Sequence, residues 1–321
     1  MVQRNTILDI AKGVGMILVV IGHLDTPFGR PIYKFHMALF FIISGWCLSD
    51  KYINQMLKFT WRRFVSILLP ALLLIGLVKV LFLINPAYSD IALNKCHLLG
   101  TTWFLKDLFK AAIIFQVLLW VSSRFRLKYI WVWPMILILL AHVSSYFGLL
   151  SIALNSYITT FYALGYVLKK YSPQIISQCD VGVENLVVLC IGAGALFMSK
   201  NWAPGHITGC NYSNYLIYGL LSLCGSYLTF QFCHIIANTD RLKKWIILIG
   251  QNTMPILLLQ WPAFSCVDIL EESGFVVFEY PLLETCAKFC LGIGLPILAS
   301  IVFARLKQPC MNYINNKKQK K

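Results

Sequence analysis

Apolar runs of about 20 residues, long enough to cross the apolar interior of a lipid bilayer, recur along most of this 321-residue chain. Hydrophobic residues make up 58% of the sequence and charged residues only 13%, against about a quarter in soluble domains. No polar block between the runs is long enough to form a separate soluble domain. The sequence therefore predicts an all-α integral membrane protein, with a single membrane domain over residues 1–308 and a basic cytoplasmic tail over residues 309–321.

The apolar runs predict a polytopic bundle of ten transmembrane helices. The expected spans are residues 7–22, 36–48, 65–84, 102–121, 129–145, 152–168, 186–198, 215–237, 245–264 and 283–303. An even number of spans places both ends of the chain on the same side of the membrane.

Basic residues cluster in alternate connections between these spans, which indicates the orientation of the bundle. They comprise Arg4 before the first span and clusters after the second, fourth, sixth and eighth spans and in the tail. The remaining connections hold only Arg30, Lys34, Lys95 and Lys200. Because cytoplasmic loops are enriched in Lys and Arg, we predict a multi-pass protein of the cell membrane with both termini in the cytoplasm. The net charge of +15 then belongs to loops facing anionic lipid, and no nucleic-acid partner is expected.

The eleven cysteines do not form a recognisable disulfide or metal framework. Their number is odd, most lie inside apolar runs, and no two have the CxxC spacing. Cys286 and Cys290 share a helix face but lack obvious partner ligands. We therefore expect no metal.

The first span places ionisable residues at both of its ends. Lys12 and His23 are eleven positions apart, which puts them within about 20° on one helix face and about 16 Å apart along the axis. Asp9 lies three positions before Lys12, close enough to pair with it. Ionisable residues inside a span favour a functional site. The alternative is that Lys12 reaches back to the membrane surface and His23 marks the opposite interface.

A second histidine, His36, opens the second span directly after the short loop "LDTPFGRPIYKF". This loop is short enough for His23 and His36 to face one cavity, and it also contains Asp25. Imidazole titrates near neutral pH and therefore suits general base catalysis on an alcohol. A zinc site is the competing interpretation, but two histidines and one aspartate in such a loop are a weak metal signature.

These segments resemble the membrane acyltransferase family 3, in its fucose 4-O-acetylase-like branch. The resemblance begins with "RNTILDIAKGVGMILVVIGH", which carries the family's basic residue and histidine, and continues in the phenylalanine-rich "FHMALFFIISG". Further segments similar to the family are "FTWRRFVSILLP", "GTTWFLKDLF" and "IGQNTMPILLLQWP". The chain departs from the family pattern at Ser66, where a second arginine is common, and at Gln260, where a histidine is common.

The resemblance implies transfer of an acyl group, most often acetyl, from cytoplasmic acetyl-CoA to a hydroxyl of a carbohydrate or lipid-linked glycan in cell-surface polysaccharide synthesis. The donor's phosphates would be bound by Arg62 and Arg63, with Lys58 nearby, because guanidinium groups match phosphate geometry. Ordinary positive charge of an inner loop is the alternative for these three residues.

Within this reading, we assign His23 as the general base, or alternatively as a transient carrier of the acyl group. Lys12, held by Asp9, would stabilise negative charge on the thioester or its phosphates. His36 would orient His23 or the acceptor, and the sequence does not separate these roles.

The acceptor side of the site is assigned to aromatic residues and one carboxylate. Trp103 and Phe104 would stack on a sugar ring, with an aromatic interface belt as the alternative, and Asp25 would contact the acceptor.

The main competing function is a transporter or flippase that uses the intramembrane lysine and histidine as a proton relay. A non-catalytic scaffold would not need these residues. The sequence is compatible with a monomer and with a homo-oligomer.

Overall fold

In the computed structural model, the described residues are 5–24, 26–90, 93–94, 97, 99–100, 102–174, 183–199 and 214–319, and within them the regular secondary structure is helical. The helices are α1 (Thr6–Gly22), α2 (Gly29–Tyr33), α3 (His36–Trp46), α4 (Met56–Arg63), α5 (Leu69–Ile84), α6 (Pro86–Asp90), α7 (Thr102–Arg124), α8 (Val132–Tyr146), α9 (Leu150–Tyr171), α10 (Val183–Met198), α11 (Tyr215–Ala237), α12 (Asp240–Gln251), α13 (Thr253–Glu272) and α14 (Pro281–Gln319). A 3₁₀ turn lies at Asp50–Tyr52 and a π-helical turn, Phe64–Leu68, joins α4 to α5. The all-α prediction is confirmed for this part of the chain.

Each predicted span coincides at least in part with a helix, but the ninth is divided between α12 and α13 at Asn252. The Asn252 side chain donates a hydrogen bond to the Leu248 carbonyl, 2.9 Å away, and so satisfies an acceptor in the last turn of α12. Pro255 lies in the first turn of α13, where a residue without a backbone N–H is tolerated. The sequence interpretation joined the apolar residues of both helices into one span, although the polar residues Gln251, Asn252 and Thr253 stand at the break.

Four helical stretches in the described residues are long and apolar enough to cross a membrane: Met56–Ile84, Tyr215–Ala237, Thr253–Glu272 and Pro281–Arg305. Large apolar side chains cover their outer surfaces, including Leu73 and Leu83 on α5 and Leu298 and Phe303 on α14. Exposed apolar surface of this extent is what a bundle presents to lipid rather than to water. The protein is therefore a membrane protein, as predicted.

The centre of the bundle is formed by α1 and α3, whose side chains are mostly buried. α3 packs closely along α9 through two glycines. A Cβ atom at Gly45 would overlap the Tyr162 carbonyl oxygen, and one at Gly165 would overlap the Ile42 carbonyl oxygen. Small residues at these two positions let the helix backbones touch, which is a common way for helices to associate in membranes.

α1 is fixed on its other side by α12, again through a glycine. A Cβ atom at Gly250 would overlap the Asp9 carbonyl oxygen, close to the residue that pairs with Lys12. α1 and α3 run antiparallel, so that His23 and His36 lie at one end of the bundle, called the histidine end. The opposite end, near Arg62 and Arg63, is called the basic end.

Candidate active site

The ion pair predicted on α1 is present in the structure. The Lys12 Nζ lies 3.4 Å from the Asp9 Oδ1, and the Asp9 carboxylate is buried while the lysine side chain is 30% exposed. The backbone contact between Gly250 and Asp9 fixes this turn of α1. Lys12 is thus held at a defined height in the bundle instead of extending freely to its surface.

Lys12 faces a cavity of about 130 Å³ that follows one stripe of α1. The stripe consists of Lys12, Met16 and Val19, spaced four and three residues apart, and its next member is His23. The other walls come from α3, α7 and α13, and include Met37, Phe40, Ser44, Phe104, Leu108 and Leu257. This inner cavity therefore lies on the helix face that joins the two predicted catalytic residues.

His23 directly follows the last residue of α1 and is largely buried. Burial lowers the pKa of the imidazole to about 4, against smaller opposite effects of the nearby Gln260 side chain and the Val19 backbone. Its ring lies 5.0 Å from Trp261 and 6.0 Å from Tyr33, measured between ring centroids. A neutral imidazole at pH 7 is the form that can accept a proton.

Gln260, which occupies the position of the common family histidine, is fully buried beside His23. Neither its amide nitrogen nor its amide oxygen has hydrogen-bond geometry to a described residue, and the same is true of the His23 Nδ1. The departure from the family pattern thus leaves an uncharged polar group next to the imidazole.

His36 is buried at the same end of the bundle, and it is not among the described residues that line the histidine pocket with His23. Its Nδ1 lies 2.8 Å from the Ile32 carbonyl oxygen, an acceptor, so this nitrogen carries the proton. The ring of Tyr33 stands between the histidines, 5.2 Å from His36 and 6.0 Å from His23. The structure therefore brings the two histidines to one end through an intervening tyrosine. Asp25 lies outside the described residues.

A second cavity, of about 370 Å³, opens at the histidine end and is called the histidine pocket. His23 forms part of its wall, and the rest comes chiefly from α13 and α14. Side chains that bring chemistry to it include His97, Trp261, Ser265, Asp268, Glu284 and Lys288. The sequence interpretation missed this wall, although the acidic residues Asp268, Glu271 and Glu272 near the end of α13 were a signal that could have indicated it.

The largest of these cavities, about 530 Å³, lies at the basic end and is called the basic pocket. Arg62 and Arg63 line it, as predicted. Their guanidinium groups lie 5.3 Å from the ring centroids of Tyr52 and Phe59, respectively. Such contacts hold an arginine in place without neutralising its charge.

Further contacts of the basic pocket involve residues that the sequence interpretation did not assign to it. The Arg63 Nη2 donates a hydrogen bond to the Tyr162 hydroxyl, 3.5 Å away. Trp61 and Ser66 also line the pocket, and Ser66 lies in the π-helical turn. Lys58 is exposed and is not among the lining residues, so it contributes charge near the pocket and no wall.

The aromatic pair predicted for the acceptor lies elsewhere. Phe104 is buried in the wall of the inner cavity, where its ring is 6.0 Å from Phe40 and 5.3 Å from Phe41. Trp103 packs 6.3 Å from Phe104, and neither lines the histidine pocket. Their part in acceptor binding stays a prediction, and Trp261 is the aromatic residue beside His23.

The described residues contain no group of three or more His, Cys, Asp or Glu side chains placed to hold a metal ion.

The sequence profile of the acyltransferase domain family matches residues 5–305. The chain belongs to this family. The family prediction and the predicted enzyme class, an acyltransferase, are confirmed, and membership favours an enzyme over the transporter alternative.

Two relatives are similar over most of their length. The chain is 23% identical to nodulation protein NolL of Mesorhizobium japonicum, covering 98% of this chain and 89% of the relative. It is also 23% identical to nodulation protein NolL of Sinorhizobium fredii, covering 84% of this chain and 80% of the relative. No solved structure matches the chain.

An acyltransferase must bind an acyl donor, bring a nucleophile to its carbonyl carbon, and remove the proton of that nucleophile. The three described cavities contain residues whose chemistry suits these tasks. Arginines stand at the basic end, a narrow apolar cavity with one lysine lies in the middle, and a neutral imidazole faces the histidine pocket.

Proposed function

We propose that this acyltransferase moves an acetyl group from cytoplasmic acetyl-CoA to a hydroxyl of a carbohydrate or lipid-linked glycan used in cell-surface polysaccharide synthesis. The observation that carries the proposal is the single face of α1 that joins Lys12 to His23. This face leads from the end of the bundle that holds the basic pocket, along the inner cavity, to the histidine pocket.

The proposal includes an arrangement of ten spans in the cell membrane with both termini in the cytoplasm. The basic pocket then faces the cytoplasm, where the predicted inner loops concentrate Lys and Arg. A donor with several phosphates does not cross a bilayer unaided, so its binding site belongs on that side. The histidine pocket faces the other side, where a surface glycan is assembled.

Arg62 and Arg63 bind the phosphates of the donor in this proposal. Guanidinium groups hold phosphate through paired hydrogen bonds, and both arginines are fixed by aromatic neighbours. Lys58, which lies outside the pocket wall, adds positive charge that attracts the donor phosphates. The remainder of the donor, a flexible chain ending in the thioester, enters the inner cavity and places its acetyl carbonyl near His23.

The chemical step uses His23 as general base. The imidazole takes the proton of the acceptor hydroxyl while the hydroxyl oxygen bonds to the acetyl carbon. The carbon–sulfur bond then breaks, and the coenzyme A thiolate leaves and takes up the proton from His23. The bond that forms is an ester, and no other reactant is needed.

Lys12 serves donor binding rather than the reacting carbonyl. Eleven residues of helix separate it from His23 by about 16 Å, and helical side chains lean toward the N-terminus, so its ammonium group lies farther away still. Lys12 lies at the end of the inner cavity away from His23, and it therefore acts on the negative charge of the donor phosphates where the uncharged chain enters this cavity. His36 and Tyr33 position the imidazole of His23 from the side of α2 and α3.

The testing experiment measures acetyl-CoA consumption by the protein in lipid, with and without a crude surface-glycan extract. We expect turnover that depends on the extract and is reduced at least 100-fold by His23→Ala, as is usual for loss of a general base. His142→Ala is the matched control, because His142 packs on Tyr215 away from the three cavities. Turnover that is absent with every extract, or equal in the two variants, refutes the proposal.

A further inference from the structure

The histidine pocket has a polar wall on the side opposite α1, contributed by two helices that the predicted catalytic residues do not belong to. Trp261, Ser265 and Asp268 project from α13, and Glu284 and Lys288 from α14. The cavity volume of about 370 Å³ lies within the range of pockets that hold small ligands, about 300–1,000 Å³.

One lysine organises the carboxylates of this wall. The Lys288 Nζ lies 2.6 Å from the Asp268 Oδ1 and 2.5 Å from the Glu284 Oε1, so it bridges α13 to α14. Each carboxylate has about four acceptor positions, and the lysine occupies only part of them. The side chains of Asp268 and Glu284 are 46% and 31% exposed, which leaves the remaining positions open to a ligand. Carboxylate oxygens held in this way can accept hydrogen bonds from hydroxyl groups.

Trp261 adds an apolar surface beside these acceptors. Its ring lies 5.0 Å from the ring of His23 and 5.7 Å from that of Phe264, so it borders the candidate general base directly. Aromatic rings pair an apolar face with a polar edge. An apolar face next to several hydrogen-bond acceptors matches a sugar ring, which has C–H groups on its faces and hydroxyls at its rim.

The charge of the wall restricts which sugar fits. Among the described residues of this wall, two carboxylates face one ammonium group, which leaves one net negative charge, and His23 is neutral at pH 7. A ligand carboxylate or phosphate would meet repulsion and would compete with Asp268 and Glu284 for Lys288. An uncharged sugar ring is not repelled by the carboxylates and does not compete with them for Lys288.

From these contacts we propose that the histidine pocket binds an uncharged sugar unit of the acceptor, with Trp261 against its ring face and Asp268 and Glu284 accepting its hydroxyl hydrogens. This inference rests on the proposed function for the identity of the acceptor. It goes further by assigning the acceptor site to α13 and α14 and by excluding acidic sugars from the unit beside His23.

The test measures sugar binding without any acyl donor, by saturation-transfer NMR on the protein in lipid nanodiscs at pH 8, where imidazole side chains carry little charge. The probes are the methyl glycosides of glucose and galactose, each compared with its uronic acid, which replaces a CH₂OH group by a carboxylate. We expect a neutral glycoside to bind at least tenfold more tightly than its uronic acid. In Asp268→Asn and Glu284→Gln this preference falls below about threefold, because each change removes one negative charge.

Matched variants separate these effects from general damage. Trp261→Phe weakens neutral glycoside binding, whereas Trp245→Phe, at a position 68% exposed on α12, leaves it unchanged. Asp240→Asn, on an 87% exposed carboxylate of α12, leaves the preference for neutral sugars unchanged.

The outcomes distinguish this inference from the proposed function. Equal binding of neutral and acidic glycosides, or no binding of either neutral glycoside by a protein that consumes acetyl-CoA with glycan extract, overturns the pocket assignment and leaves the proposed function standing. Neutral glycoside binding with the expected preference, by a protein that shows no acetyl-CoA turnover, supports the pocket assignment and refutes the proposed function.

Discussion

The acid limb of the pH–rate profile follows from the burial of His23. With its pKa lowered to about 4, this imidazole is about 90% neutral at pH 5, whereas an imidazole with the ordinary pKa of 6.5 would be about 3% neutral. Protonation removes the general base, so activity is present above the pKa and is lost as pH falls through it. We therefore expect kcat/KM at pH 5 to be close to its value at pH 7 and to fall by half near pH 4.

The same reasoning predicts that exposing the His23 imidazole to water will move the acid limb to higher pH. Trp261 borders the imidazole, and Trp261→Ala exposes it to solvent, which removes part of the desolvation that lowers its pKa. The midpoint of the acid limb should rise by one pH unit or more toward 6.5, whatever happens to the height of the profile. Acetyl-CoA consumption with glycan extract, measured from pH 3.5 to 8, gives both quantities.

Trp245→Ala provides the control, because this exposed tryptophan is remote from His23 and its loss should leave the midpoint near 4. Far-ultraviolet circular dichroism after return to pH 7 separates protonation from acid unfolding. A wild-type midpoint near 6.5, or a midpoint that Trp261→Ala does not move, refutes the assignment of the buried His23 as general base.

Three further predictions concern the donor side and the helix contacts. Arg63→Lys should raise the KM for acetyl-CoA about tenfold with little change in kcat. Lysine keeps the positive charge but loses the contacts of the planar guanidinium group with Phe59 and Tyr162. As a control, Lys58→Met, outside the pocket wall, should change this KM less than threefold. Lys12→Met should also raise the donor KM while the acid limb stays in place, and a moved limb would contradict its separation from His23. Gly250→Ala should lower stability by about 1–3 kcal/mol or more through overpacking against α1, seen as a lower unfolding temperature in detergent, whereas Gly294→Ala, which meets open space, should not.

Local patterns predicted those parts of the site that lie on one helix or one short loop. The Lys12–Asp9 pair depends only on a three-residue spacing, and the approach of His23 and His36 depends only on the shortness of the loop between two spans. The two arginines could likewise be predicted to act together, because they are adjacent in sequence and lie at a helix end.

The wall formed by α13 and α14 could not be predicted in the same way. Trp261 and Lys288 meet His23 only through packing of helices more than 200 residues distant in sequence, and no local period encodes that contact. The place of Phe104 in the wall of the inner cavity was likewise not predictable, because it depends on packing against Phe40 and Phe41 of another helix. The break at Asn252 was missed for a different reason: apolar residues on both sides were interpreted as one span, although polar Gln251, Asn252 and Thr253 separate them.

The backbone contacts at Gly45 and Gly165 have a mechanical consequence. No side chain lies between α3 and α9 at these points, so sliding or rotating one helix past the other would force carbonyl oxygens into Cα atoms. α3, and with it His36, is therefore expected to keep a fixed position relative to α9 during the reaction. α13 begins at the break at Asn252 and borders both the inner cavity and the histidine pocket. Any shift of α13 would therefore change both cavities together, while α3 keeps its place against α9.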